Sequence, residues 1–236
     1  MAVSVDTVYQ KVLAFANKEQ RGYITPQEFN LFADQAQMEI FEQYFYDINQ
    51  FGRVPRNDTE YSDMLTNLEE KITIFKERSV GIPAFNEWGD VSLPSDLYRL
   101  GTVRANNWKG AEEMKSGAET FIYRESKLTE PTLLRPFFER LKDNVIKFWP
   151  YDAVPKNEWA YINYIRKPLK PNWGYVVVND KPLYNSTVST DFELHLSEES
   201  ELVYRILTFT GIAIEKPQLA QVAVGLEQAK VQQEKQ

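Results

Sequence analysis

The sequence predicts an α+β fold, in which a helical bundle carries a small inserted antiparallel β domain and ends in a C-terminal helical tail. Apolar residues recur at three- and four-residue steps through the N-terminal third and again after residue 197, which is the spacing of amphipathic helices. Between these regions, short apolar runs alternate with Gly, Pro, Asn and Asp, as is typical of strands and turns. We therefore divide the chain into an N-terminal helical part (1–78), a β-rich inserted domain (79–196) and a C-terminal helix and tail (197–236) that completes the bundle.

Three helices are predicted in the N-terminal part. The first covers residues 5–16. The second begins at Thr25, which can form a capping box with Glu28, while Pro26 suits the first helical turn. A third helix covers residues 61–75. The long second helix carries two apolar stripes, so we expect neighbours on two of its sides. The stripes are Phe29, Phe32, Ala36, Ile40, Tyr44 and Ile48, and Phe41 with Phe45.

The inserted domain should consist of short strands. Turn residues at Lys142, Asp143 and Asn144 predict a hairpin of 137–141 with 145–149. Asn179 and Asp180 predict a further turn. The pattern of residues 109–128 is weaker than that of the strands and fits a short helix. The remaining strands are predicted at 91–93, 100–104, 159–166, 173–178 and 192–196.

The C-terminal part begins at Ser197, which can cap a helix whose first turn carries Glu198 and Glu199, a favourable charge against the helix dipole. Pro217 opens a final short helix, and a polar run occupies residues 228–236. Because a helix this short is marginal alone, we expect it to dock on its own domain or on a partner.

Composition limits the classes of function. The chain has 236 residues, a net charge of −7, no cysteine and one histidine. The absence of cysteine excludes disulfides and thiolate metal sites and fits folding in a reducing cytoplasm. No run of about 18 apolar residues occurs, so we expect no membrane span. The acidic balance argues against specific nucleic-acid recognition, although it suits a protein that neighbours DNA without gripping it.

Residues 17–28 weakly match a calcium-binding EF-hand loop. Gly22, Ile24 and Glu28 fall at positions six, eight and twelve of that loop, but Asn17 opens it and Arg21 stands where a carboxylate should coordinate. The capping box explains this segment without an ion.

Catalytic motifs are scarce. His195 alone would have to support any histidine-based mechanism, and a structural role suits it better. Adjacent carboxylate pairs such as Glu69 with Glu70 and Glu112 with Glu113 are typical of solvated helix faces. We therefore expect no catalytic residue, no metal and no cofactor.

An aromatic cluster permits two interpretations. Its members could stack sugars or single-stranded bases, or they could form sheet core and a subunit interface. Basic residues are thinly spread among them, which favours the second interpretation. The cluster consists of Trp149, Tyr151, Trp159, Tyr161, Tyr164 and Trp173.

Four segments resemble virion structural proteins of short-tailed phages, including crAss-like and related marine phages. The first is VYQKVLAFANKEQRGYITPQEFNLFADQAQMEIFEQYF, near the N-terminus. The others are LPSDLYRLGTV, IKFWPYDAVPKNEWAYINYIRKP and LSEESELVYRILTFTGIAIEKPQLAQVA. They are similar to the opening, the LPxD segment, the strand, Pro turn and strand segment, and the C-terminal helix and tail of head-to-tail connector proteins.

The resemblance implies a non-enzymatic subunit of a head-to-tail connector ring, commonly a dodecamer. Such a ring docks below the portal protein, forms part of the DNA channel and contacts a downstream tail protein. It would be assembled in the host cytoplasm and reside in the neck or tail region of the virion. By the same resemblance, Leu219, Val222 and Leu226 are the residues expected to dock on the portal. The alternatives are another virion ring or tail structural protein, or a module that binds cell-surface glycan.

Overall fold

The computed structural model describes residues 2–17, 24–53, 59–83, 88–105, 110–142, 144–155, 158–213, 221, 223–226 and 228–229. The helices are α1 (Val5–Asn17), α2 (Pro26–Arg53), α3 (Thr59–Thr73), α4 (Gly117–Glu125) and α5 (Glu199–Ala213). The strands are β1 (Lys76–Pro83), β2 (Asp90–Ser92), β3 (Leu97–Arg104), β4 (Gly110–Met114), β5 (Phe137–Lys142), β6 (Val145–Trp149), β7 (Trp159–Arg166), β8 (Tyr175–Val178) and β9 (Lys181–Tyr184).

The chain divides into two compact units. The helical unit contains Met1–Ile74 and Pro168–Gln236, and the sheet unit contains Phe75–Lys167. The helical unit therefore holds α1, α2, α3, α5 and the β8–β9 hairpin, whereas the sheet unit holds α4 and the other seven strands.

The predicted helical bundle with a small β insertion is wrong. The fold is α+β with 44% helix and 31% strand, so the strands form a major part of the structure. A seven-stranded, nearly closed, barrel-like sheet dominates it, in the order β1-β7-β3-β4-β5-β6-β2. All its pairs are antiparallel except β4 with β5, which is parallel.

Two unpredicted strands account for much of this correction. β1 begins with the charged residues Lys76, Glu77 and Arg78, and β4 carries two adjacent glutamates, so neither has the apolar alternation of a strand. Both are ordered by pairing with strands distant in sequence, β1 with β7 and β4 with β3 and β5.

The sheet unit buries its core on one face of these strands. In β7, the buried residues Ala160, Ile162 and Tyr164 alternate with Trp159 and Tyr161 on the other face. Val91, Ile146 and Phe148 from β2 and β6 belong to the same core.

The helical unit is built around α5. Its apolar residues Leu202 and Ile206 are fully buried, and the helix packs against α1 and α2. The bounds of α1, the start of α2 and the capping box confirm the predictions from sequence. At the start of α2, Thr25 donates its backbone N–H and its hydroxyl to Glu28 Oε2 at 2.9 and 2.8 Å, and the Glu28 N–H donates to Thr25 Oγ1 at 3.3 Å. These bonds hold the pKa of Glu28 below its ordinary value of 4.5.

Charged side chains are buried between α2 and α5. Arg205 donates to Glu201 at 2.7 Å and to Glu39 at 3.3 Å, and it also bonds Gln43. Because Glu201 is almost fully buried, this cation compensates a carboxylate that has lost its water.

The start of α5 differs from the prediction. His195 is the N-terminal cap of a short 3₁₀ helix, Leu196–Glu198, that precedes α5, and its Nδ1 accepts from the Ser197 N–H at 3.3 Å. Residues 192–196 are therefore not a strand; only Phe192 forms an isolated bridge, with Val3. Glu198, which was expected in the first turn of α5, lies in the 3₁₀ helix, where it is buried and pairs with Lys71 at 2.5 Å.

Candidate interaction surfaces

Helix α4 in the sheet unit is oriented by contacts on one of its sides. Its N-cap is Ser116, whose hydroxyl accepts from the Glu119 N–H at 3.2 Å, and Glu119 in turn accepts from the Lys115 N–H at 3.2 Å. Two turns on, the Arg124 guanidinium lies 3.9 Å from the centre of the Trp149 ring. The inward stripe of α4 is thus polar, with Thr120 as its buried residue.

The outward side of α4 and the loop that follows it are apolar. Phe121, Ile122 and Leu128 are exposed, and a tight turn closed by Thr132 and Arg135 exposes two leucines at its tip. This arrangement inverts the usual amphipathic pattern, in which the apolar stripe faces the protein. We call these residues the α4 surface; their exposed fractions lie between 52% and 90%. They are Phe121, Ile122, Leu128, Leu133 and Leu134.

The hairpin of β8 and β9 forms a second exposed apolar surface, on the helical unit. Asn179 and Asp180 have φ values of 51° and 60°, which is the two-residue turn that suits a hairpin and confirms the predicted turn. Between 46% and 59% of each of five aliphatic side chains is exposed on or beside the hairpin. They are Val176, Val177, Val178, Leu183 and Val188. Val176, Val178 and Leu183 share one face of the hairpin and are called the hairpin surface, whereas Val177 lies on the other face with Tyr175 and Tyr184.

The base of the hairpin is fixed to the helical unit through Trp173. Its ring contacts Tyr175 and Tyr184, with ring centres 5.8 and 5.7 Å away. Its indole N–H donates to Asp6 at 2.9 Å and its backbone N–H donates to Asn30 at 2.7 Å. A two-stranded hairpin is marginal alone, so these contacts hold it in place while its aliphatic side chains remain in water.

The net charge is divided unequally. The sheet unit carries 15 Lys and Arg against 13 Asp and Glu, and the remainder of the chain carries 12 against 21. The total of −7 therefore consists of +2 on the sheet unit and −9 on the helical unit. Around α4, Arg124 and Lys127 form no ion pair within the described residues.

The predicted aromatic cluster is dispersed. Trp149 and Tyr151 do meet, with ring centres 4.2 Å apart and the Lys147 ammonium 5.1 Å from each ring centre. Trp159 lies on the outer face of β7, whereas Trp173 is buried in the helical unit. Trp149 is itself buried and covered by Arg124, so its ring is part of the packing of α4.

Tyr164 lies at a shallow cavity of about 210 Å³ beside β1 and β7. Burial raises the pKa of Tyr164 to about 12, and the Asp96 carboxylate, 3.3 Å from the phenol, adds to the increase. The phenol donates its hydrogen bond to the Asp96 carboxylate. Among the residues that the structure covers, no group of three or more His, Cys, Asp or Glu is placed to hold a metal.

The residues predicted to dock on the portal are only partly described. Leu219 and Val222 lie outside the described residues, and so does most of the EF-hand-like loop after Asn17. Leu226 is helical and exposed, while its neighbour Ala223 is buried. In the described parts of the chain, no helix has both the length and the apolar character needed to span a membrane.

Sequence reasoning missed both apolar surfaces. The signal for the hairpin was present, since three consecutive valines precede an Asn-Asp turn. No model of a known protein family matches this chain, and no curated protein matches it either.

Proposed function

We propose that this protein is a non-enzymatic structural subunit of a phage head-to-tail connector, working as one copy in a ring below the portal protein. It would be assembled in the host cytoplasm and would remain in the neck or tail of the virion. The resemblance of the four sequence segments suggests this role. The observation that carries it is that each of the two units exposes an apolar surface, the α4 surface on one and the hairpin surface on the other.

Exposed apolar patches of this kind mark interaction sites. Covering them with a partner is favourable, by about 25 cal/mol for every Å² of apolar surface removed from water. A ring subunit has such a surface on each of the two sides that meet its neighbours. A small-molecule enzyme has no need of them.

The charge also suits a channel component. Affinity for DNA comes from counterions released at clusters of Lys and Arg, and a chain with a net charge of −7 gains little from this effect. The connector would let DNA pass without holding it.

The C-terminal segment is the proposed contact to the portal, through Leu219, Val222 and Leu226. Truncation after Lys216 should yield a folded protein that no longer attaches to the portal. Circular dichroism would report the fold, and co-sedimentation with portal rings would report attachment. A product that is globally unfolded would show instead that the segment belongs to the core of the protein.

The ring itself is tested by native mass spectrometry of the full chain, alone and with the portal protein of the same phage. We expect a closed oligomer, with twelve copies as the first expectation. Monomer alone under both conditions would contradict the proposal. Another position in the particle, as a different ring or tail protein, would be identified by locating the chain in a cryo-electron map of the virion.

A second candidate function is binding of cell-surface glycan. It is favoured by two tryptophans of the sheet unit, Trp88 and Trp159, which expose 60% and 52% of their surface and could stack on sugar rings. A glycan array should give hits that the double variant Trp88→Ala and Trp159→Ala loses. An array without hits removes this candidate.

A further inference from the structure

We propose that the outer face of β1, β7 and β3, in the sheet unit, binds single-stranded nucleic acid without regard to its sequence. Cations on this face would hold the phosphates, and exposed aromatic rings would stack on the bases. The inference goes beyond the connector role and does not depend on it. We call this surface the β7 face. It consists of Lys76, Arg78, Arg99, Trp159, Tyr161, Asn163 and Ile165.

The strand register places two of the cations. Ile162 and Tyr164 of β7 belong to the buried core of the sheet unit, so Ile165 belongs to the opposite, outer face. Lys76 of β1 and Arg99 of β3 are the register partners of Ile165, one on each side of it. Residues directly opposite each other in neighbouring strands share a face of the sheet. Both cations therefore flank Ile165 on the outer face.

A third cation, Arg78, lies in the bulge of β1. It lines the same shallow cavity of about 210 Å³ as Lys76 and Ile165, which has room for a phosphate group, since a water molecule takes about 30 Å³ of the liquid. The carboxylate in the lining, Glu77, pairs with Arg166 at 3.4 Å. In the part of the chain that the structure describes, neither Arg78 nor the two cations beside Ile165 form an ion pair. Positive charge is therefore concentrated here without compensation.

The centre of the face is held by Asn163, which lies between two bulges. The Ser79 N–H, in the bulge of β1, donates to Asn163 Oδ1 at 2.8 Å. The Asn163 amide donates to Thr102 Oγ1 at 2.5 Å, where β3 also shifts its register. Bulges are frequent beside functional sites, where they re-aim side chains. Asn163 thus ties together the two strands that carry the cations, which reduces the entropy lost when a ligand binds.

An aromatic platform adjoins the cations along β7. The ring of Trp159 packs on β1 at Gly81, where a Cβ atom would lie 2.9 Å from Trp159 Cε3 and 3.6 Å from Tyr161 Cε1. Because glycine has no side chain, the indole lies against the strand, yet 52% of Trp159 remains exposed. Exposed rings beside cations are the arrangement that holds single strands, since every base has a π face that can stack.

A single strand uses both features of this face. A duplex keeps its bases stacked inside the helix, so the aromatic rings would gain no partner from it. A neutral glycan would use the rings but not the cations. Phosphate contacts and stacking carry no base-specific hydrogen bonds, so we expect little sequence preference. Because few phosphates are contacted, binding should be weak, which agrees with the net charge of −7.

The salt dependence of binding tests the cations. The full chain is titrated into a fluorescein-labelled oligothymidylate of about 12 nucleotides, a length within the usual site sizes, and fluorescence anisotropy gives the affinity at several salt concentrations. Log affinity against log salt falls by about 0.7 per phosphate contact in a single strand, so three contacts predict a slope of about −2. The triple variant of Lys76→Gln, Arg78→Gln and Arg99→Gln should bring this slope close to zero.

The matched control removes the same amount of charge from exposed positions elsewhere in the sheet unit. It is the triple variant of Lys115→Gln, Lys127→Gln and Lys142→Gln. The slope should remain about −2 in this control. Circular dichroism checks that both triple variants are folded. An equal loss of binding in the two would show attraction by overall charge alone and would overturn the inference.

Trp159→Ala tests the stacking separately. It should weaken binding at least about fivefold while the slope stays about −2, since it removes a ring and no charge. No binding of the oligothymidylate at low salt, or unchanged affinity in Trp159→Ala, would overturn the inference. Displacement at a lower concentration of charge by duplex DNA, or by heparin as an acidic glycan, would overturn it in favour of that ligand. Ring formation is measured independently by native mass spectrometry, so none of these results decides the connector role.

Discussion

The buried arginine of α5 allows a quantitative test of the helical unit. Arg205 is 9% exposed and is the cationic partner of Glu201, which is 4% exposed. Replacing Arg205 with Met keeps a long side chain in the same space and removes the positive charge. Glu201 would then be a buried carboxylate without its partner, whereas Glu39 is exposed enough to regain water.

The expected loss of stability is about 3–5 kcal/mol, which is the usual effect of removing one member of a buried ion pair. The loss comes mainly from the stranded charge and not from a lost attraction. The double variant Arg205→Met and Glu201→Gln should therefore be more stable than Arg205→Met alone, since it removes the uncompensated carboxylate as well.

Urea unfolding followed by circular dichroism at 222 nm measures this effect, because α1, α2, α3 and α5 lie in the helical unit. The matched control is Arg140→Met, which removes a cation from the exposed pair with Glu113 in the sheet unit. That change should cost less than about 1 kcal/mol. If Arg205→Met costs no more than the control, or if the double variant is the less stable one, the argument from the buried charge is refuted.

Further predictions concern the cap of α2, the position of α4 and the base of the hairpin. Thr25→Ala should lower stability by about 1 kcal/mol at neutral pH. Since the folded pKa of Glu28 is depressed, the contribution of this carboxylate to stability is present above pH 4.5 and is lost as the pH falls through the folded value. Urea unfolding at neutral and acidic pH should therefore show that the difference in unfolding free energy between Thr25→Ala and the unmodified chain shrinks in acid. Arg124→Ala should cost about 0.5–1 kcal/mol and speed amide exchange in α4, as seen by hydrogen–deuterium exchange; unchanged exchange would contradict the anchoring role. Gly174→Ala would place its methyl group 2.5 Å from a Val188 side-chain carbon and should cost about 1–3 kcal/mol in the same urea assay.

The features that sequence predicted correctly depend on local interactions. The α2 cap needs only Thr25 and Glu28, three residues apart, and the turn of the β8–β9 hairpin needs only Asn179 and Asp180. The hairpin of β5 and β6 was also found, because its strands adjoin the turn that joins them. Each of these elements carries its own signal within a few residues.

The size of the sheet could not be predicted in this way. β1 becomes a strand because it pairs with β7, about 80 residues later, in a register that places Lys76 opposite Ile165. β4 reaches its parallel partner β5 only after α4 has crossed between them. Without these two strands the other five do not make a nearly closed sheet. The inserted domain was therefore predicted to be small.

The exposed apolar surfaces could not be predicted without the tertiary structure, for a different reason. The pattern of α4 contains an apolar side and a polar side, but periodicity alone does not say which side faces the sheet. Arg124 settles the question by lying on Trp149, which is 25 residues away in sequence. The usual assumption that the apolar side faces inward would have given the opposite orientation.

The two edges of the β8–β9 hairpin differ in how they are protected from pairing with another chain. Natural edge strands are commonly protected by proline or lysine, and β9 contains both, as Lys181 and Pro182. β8 contains neither, and its three consecutive valines are exposed. An open β8 edge flanked by exposed valines favours aggregation if it stays uncovered. In the proposed ring, a neighbouring subunit would cover it. The contrast between the two strands therefore supports a partner that approaches from the β8 side.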